Sequence, residues 1–178
     1  MAETRGRHLR IFLLDGPPEG LLTVEILTWP GHVLSFPREK AGEALNRKEA
    51  GKPGIYFLVG EDPDQPSKTK VYVGESVNVS GRMANHLTGD QKEFWTRACF
   101  FTAKDDNLTK AHVQYLESRL ISMVKEADRA NLANGNLHGA KGLPEADESD
   151  ICHFERFNSS LVRGTSKSDL HHAAYRYA

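Results

Sequence analysis

Apolar runs along the 178-residue chain are cut by Pro- and Gly-rich stretches, and the spacing within each run points to its secondary structure. HLRIFLLDG (8–16) and GLLTVEILTWPG (20–31) are β-rich runs on either side of DGPPEG. Pro and Gly at that density cannot sit inside a ladder, so the pair predicts a hairpin, with HVLSF (32–36) as a third short strand. PREKAGEALNRKEAGKPG follows; Pro37 suits a first helical turn and Gly51 to Gly54 a stop, which predicts a helix over 38–49. GIYFLVGED (54–62) and KTKVYVGES (68–76), apolar, aromatic and β-branched, predict a second hairpin around the polar PDQPS. In NVSGRMANHL (78–87) apolar residues recur at 79, 83 and 87, one helical face, with Asn78 as the N-cap. ACFFTA (98–103) predicts a further central strand, and KDDNLTKAH is a polar turn into the longest helix, 109–127. Glycines and charges dominate 138–150, where a short helix around 145–158 is expected before a poorly ordered tail over the last 20 residues.

Composition narrows the class. Apolar residues are 39% and charged residues 26%, which suits a globular chain. No apolar run approaches the roughly 20 residues needed to span a bilayer, and MAETRGRHLR lacks the core of a secretory signal, so the expected compartment is the cytoplasm, with no membrane partner. Cys99 and Cys152 lie far apart, outside any metal-ligand spacing, and read as reduced thiols. The net charge of -1 carries no global signature of nucleic-acid binding, so any phosphate-binding surface has to be a local patch made by folding.

Three sets of residues stand out chemically. In the long helix Val113, Leu116, Leu120, Ile121 and Val124 fall on one arc, and Glu117 lies inside it. A carboxylate there is costly unless paired; either a structural ion pair with an arginine or a hard divalent cation would satisfy it. Arg82 and His86, four residues apart on the shorter helix, point the same way. Arginine offers a fork of donors to a phosphate and histidine can relay a proton near neutral pH, although such a pair is also ordinary on a solvated face. Tyr56 and Tyr72 sit on neighbouring strands beside Gly54 and Gly74, where glycine leaves room for close approach and where two aromatic rings also make ordinary cross-strand packing.

The order Gly54-Ile55-Tyr56, Tyr72-Val73-Gly74, Arg82 ten residues after Tyr72, then His86, Glu117 in a helix and an asparagine in NLANGN resembles the GIY-YIG nucleases. The likeness covers about 54–136. The flanks are similar to a bacterial subgroup in which a β-rich N-terminal extension with a tryptophan-glycine turn precedes the nuclease core. The resemblance implies an α+β fold with a three-stranded antiparallel sheet flanked by helices. It divides the chain into a hairpin-plus-helix extension (1–52), a nuclease core (53–136), and a short helix with a flexible tail (137–178).

It further implies an endonuclease that hydrolyses nucleic acid, DNA by preference, with one Mg²⁺ or Mn²⁺ held by Glu117. Arg82 would stabilise the pentavalent transition state, and a tyrosine assisted by His86 or metal-bound water would help activate the attacking water. Which of Tyr56 and Tyr72 is that base stays open; free tyrosine titrates near 10, so the role calls for a pKa depressed by adjacent cations. Asn134, with Asn131 as second choice, would be the asparagine that buttresses the site. Three features depart from the pattern: 15 residues separate Tyr56 from Tyr72, Glu75 stands where some members carry lysine after the YxG glycine, and no separate DNA-binding module is recognisable. The alternative reading is a nucleic-acid-binding or protein-interaction module on the same scaffold with little or no catalysis.

Overall fold

The computed structural model describes residues 8–26, 30–89, 92–135, 142–149 and 151. Cys152, the greater part of the helix expected over 145–158, and the expected tail lie outside the described residues; 145–149 are helical.

Seven strands form one sheet in the order β1-β2-β3-β6-β4-β5-β7. They are β1 (Leu9–Leu13), β2 (Leu22–Ile26), β3 (Gly31–Pro37), β4 (Gly54–Glu61), β5 (Thr69–Ser76), β6 (Trp95–Ala103) and β7 (Ala130–Leu132). Every pairing is antiparallel except β5 with β7, which is parallel. The fold is therefore mixed α+β. The three strands expected of the core, β4, β5 and β6, are the inner part of a larger sheet. β3 pairs with β6 from Gly31↔Ala103 to Pro37↔Arg97, so the N-terminal strands extend the sheet instead of standing beside it.

Both faces of the central strands are covered, which is why β4 is a nearly unbroken apolar run without clean alternation. Ile55, Phe57 and Val59 point to one face, where they meet Val71, Val73, Phe101 and the buried arc of α3 (Lys110–Ala127). Tyr56 and Leu58 point to the other, against Phe36, Phe100, Trp95 and the inner residues of α1 (Ala41–Leu45) and α2 (Val79–Thr88).

Both longer helices start at side-chain caps. The Asn78 side chain accepts from the Gly81 N–H at 3.0 Å, and the Thr109 side chain accepts from His112 N–H. Asp128, in the left-handed region at φ 47°, ends α3, a conformation that Asp tolerates better than most residues. The helix expected over 38–49 is broken into a 3-10 turn at Arg38–Lys40, α1, and a second 3-10 turn at Lys48–Gly51. Tight i to i+3 bonds, Arg47 N–H to Ala44 O and Ala50 N–H to Arg47 O, replace the α-helical ladder. They let the small residues Ala41, Ala44 and Ala50 sit close against the sheet. Among the described residues no helix is long and apolar enough to cross a membrane.

Candidate active site

The open edge of β5 organises the site. In an antiparallel pair, alternate residues turn their backbone groups away from the neighbouring strand. On β5 those outward groups belong to Val71, Val73 and Glu75. The residue after β7 uses the first, Ala133 N–H donating to Val71 O at 2.8 Å. The Asn134 side chain takes both groups of the second, accepting from Val73 N–H at 2.9 Å and donating to Val73 O at 2.7 Å. The backbone N–H of the third, Glu75, acts on the Glu117 carboxylate. Asn134 thus buttresses the strand that carries Tyr72 and Gly74. Asn131, the second choice from sequence, instead donates to Asp62 Oδ2 at 2.6 Å and ties down the β4–β5 loop.

Gly74 is where the two tyrosine strands require glycine. A Cβ there would strike the Tyr56 ring, 2.8 Å from Cε1 and closer to Cζ and the hydroxyl. Tyr56 therefore lies flat across Gly74, its cross-strand partner. Gly54 answers a different constraint, since a Cβ would run into the Phe101 carbonyl of β6.

On α2, Val79 and Met83 are buried, while Arg82 and His86 lie one step round the helix at the rim of the sheet. From there His86 Nε2 reaches the Tyr56 hydroxyl at 2.9 Å. The Tyr56, Tyr72 and His86 rings make a near-equilateral cluster with centroids 6.0, 5.6 and 5.8 Å apart. The Arg82 guanidinium acts on both phenolic oxygens, that of Tyr56 most strongly.

Burial, with Lys92 and Arg82 adding to it, depresses His86 to about 4, so the imidazole is neutral at pH 7 and its Nε2 can accept the Tyr56 proton. Burial and the neighbouring Tyr72 drive Tyr56 upward despite Arg82. A depressed pKa, which the role of general base calls for, is therefore not what Tyr56 has: at 0% exposure, desolvation of the phenolate outweighs the guanidinium. Tyr72, on the same face, is half-exposed.

Glu117 sits as its position on the helical arc implied, half-buried beside Leu116 and Leu120. Burial and the charge of Glu75 push it up to about 6, against the Glu75 N–H, Arg82 and Lys92, so it is mostly ionised at pH 7. Of the two ways to satisfy that carboxylate, the structural ion pair is not made: among the described residues no Lys, Arg or His nitrogen forms a salt bridge with it. Two carboxylates that repel each other suit a small hard cation that takes one or two protein oxygens and fills its shell with water. Among the described residues no group of three His, Cys, Asp or Glu forms a closed metal cage, so any cation here would rest on Glu117, with Glu75 beside it.

Tyr56, Tyr72, Arg82, His86 and Glu117 are thus linked through one edge of the sheet, supported by Gly54, Gly74 and Asn134. One participant was not legible in the sequence. Lys92, between α2 and β6, brings its ammonium 3.3 Å over the Tyr72 ring centroid. Its only sequence context is the unpatterned QKEFW, and nothing there separates it from any surface lysine. Cys99 is a buried free thiol, its Sγ 3.3 Å from Ser35 Oγ and remote from this edge. No protein-family model matches the chain, and neither a curated protein nor a solved structure matches it.

Proposed function

We propose that this chain is a divalent-metal-dependent endonuclease that hydrolyses DNA phosphodiester bonds through a GIY-YIG site on a GIY-YIG type of α+β scaffold. The observation that carries the reading is Glu117: a half-buried, ionised carboxylate with no salt bridge among the described residues, sharing one strand edge with an arginine, a neutral histidine and two phenols. A purely structural cluster would neutralise its own acid.

Glu117 would hold Mg²⁺ or Mn²⁺, and the metal would supply Lewis-acid stabilisation of phosphate oxygen. The remaining work falls to the chain. Arg82 offers a guanidinium to the charge that builds on phosphorus oxygens in the transition state. The buried Tyr56 hydroxyl, 2.9 Å from His86 Nε2, would donate to that nitrogen and orient the imidazole, which burial, Lys92 and Arg82 keep neutral. Tyr72, the half-exposed phenol, is the one available to orient the attacking water or take its proton. Neutral His86, in ring contact with both phenols, can accept a proton passed inward from them.

The test is a cleavage assay on supercoiled, branched and single-stranded DNA, with RNA alongside, each with and without Mg²⁺. Cleavage that needs the metal and disappears in Glu117→Ala and Arg82→Ala supports the reading. Binding to nucleic acid with no metal-dependent turnover on any substrate would favour a binding module instead.

A further inference from the structure

We propose that Lys92 is the second cation of this site, contacting the scissile phosphate of the substrate across the face of Tyr72. The inference rests on the nuclease reading above and concerns how that site meets its substrate.

Charge balance motivates it. Glu117 and Glu75 bring two carboxylates to the edge of β5, and a phosphodiester adds another negative charge. Arg82 is the guanidinium of the site, its charge acting on the Tyr56 and Tyr72 oxygens. One guanidinium and one divalent ion balance those three negative charges and leave nothing to meet the further negative charge that builds on the phosphate in the transition state.

Lys92 is the cation available. Its Nζ lies 3.3 Å from the Tyr72 ring centroid, well within the roughly 6 Å over which a ring attracts an ammonium. Its charge acts on His86 and on Glu117, the same two groups on which Arg82 acts. Two cations from separate elements therefore converge on one spot.

Other lysines along the sheet are used differently. Lys104 pairs with Glu25 at 2.8 Å, Lys70 with Asp62 at 3.1 Å and Lys52 with Asp106 at 3.3 Å. Among the described residues Lys92 pairs with no carboxylate; it rests on an aromatic face. A ring occupies one side of the ammonium and leaves donors on the other side free for a phosphate oxygen.

The segment is also anchored. Arg38 Nη1 donates to the Glu93 carbonyl at 2.9 Å and to the Trp95 carbonyl at 3.4 Å, and the guanidinium stacks 4.8 Å from the Trp95 ring. The residues after Lys92 are thus held against the sheet. A charge fixed in place before the substrate arrives needs no reorganisation when charge develops on the phosphate.

Lys92→Met keeps most of the stem over Tyr72 and removes the charge, whereas Lys92→Arg keeps the charge. Initial rates are measured on supercoiled plasmid in Mg²⁺, and binding of a fluorescein-labelled DNA duplex is measured without metal at several salt concentrations. The expected result is a kcat about 100-fold lower in Lys92→Met with the melting temperature retained, and recovery of most of that loss in Lys92→Arg. The slope of log affinity against log salt should fall by about one in Lys92→Met. A Lys92→Met protein that cleaves at the wild-type rate with the wild-type salt slope overturns the role while leaving the nuclease reading intact. So does a Lys92→Arg protein no better than Lys92→Met, since the positive charge would then not be what the residue supplies. A wild-type protein that cuts no plasmid removes the nuclease reading, and the Lys92 role with it.

Discussion

Two histidines, His32 on β3 and His86 on α2, sit in polar clusters on the same covered face of the sheet, and burial depresses both. Around His32 every charge is answered from within. Its Nε2 lies 3.8 Å from Glu25 and 3.7 Å from Glu49. Glu25 is bonded to Lys104 at 2.8 Å and Glu49 to Arg47 at 2.6 Å. The Lys104 hydrogen bond holds Glu25 below the ordinary carboxylate range; burial pushes Glu49 up, but its own backbone N–H and Arg47 prevail and it too is lowered. Around His86 the reverse holds. Glu117 is pushed up by burial and Glu75 although Arg82 and Lys92 oppose the shift, and Lys92 rests on the Tyr72 ring without a salt bridge to the acid. One cluster pairs its acids with its own cations, although His32 Nδ1 is buried without a hydrogen-bond partner among the described residues; the other holds an acid with no salt bridge among them.

The difference is sharpest in the response to losing one side chain. Glu117→Ala and Arg82→Ala should each lower metal-dependent DNA cleavage by roughly three orders of magnitude while melting at or near the wild-type temperature, as seen by circular dichroism beside the cleavage assay. A large loss of stability in either would make the edge of β5 a structural cluster like that of His32.

Gly74→Ala should damage both properties. The new methyl would meet the Tyr56 ring, so a cost of about 1–3 kcal/mol in urea unfolding and a fall in cleavage should appear together. Unchanged values would mean that Tyr56 does not need to lie flat across β5.

His86 gives a pH test. Its folded pKa, about 4, is below the ordinary 6.5, so the unfolded chain takes up that proton first. The associated stability is complete above about 6.5 and is lost as pH falls toward 4. His86→Gln should make the decline over that window shallower, by about 1–2 kcal/mol once the partial exposure of the ring is discounted. Equal slopes in the two proteins would place the imidazole in water.

The smallest effect belongs to the His32 cluster. Lys104→Met should cost no more than about 1 kcal/mol, because the pair with Glu25 is substantially exposed, and should leave the cleavage rate untouched. A loss of activity there would dissolve the contrast.

Much of this was legible where the signal is local. The α3 arc and the acid inside it follow from a period of 3.6, and burial of Val113, Leu116, Leu120, Ile121 and Val124 with Glu117 half-exposed is its direct expression. The i, i+4 spacing of Arg82 and His86 and the Gly-Tyr pairs of β4 and β5 were equally local. Long-range pairings left no mark. The pairings between β3 and β6 join residues 60 or more positions apart, and β7 is three residues in a parallel pairing set by tertiary contact alone. The 38–49 segment carries helix-forming residues, yet tight turns won because buried alanines let it hug the sheet. The upward shift of Tyr56 depends on depth in the core, which the run GIYFLVG does not state, and Lys92 depends on a loop that happens to end over Tyr72.

The central claim is that Glu117 is left open for a metal that acts on phosphate. Its most direct test is the initial rate at which wild-type and Glu117→Gln proteins nick supercoiled plasmid in Mg²⁺, compared side by side with EDTA controls. Metal-dependent nicking by the wild type, abolished by the loss of one negative charge in a folded protein, is the predicted result. Equal rates in the two proteins, or nicking that persists in EDTA, would contradict it.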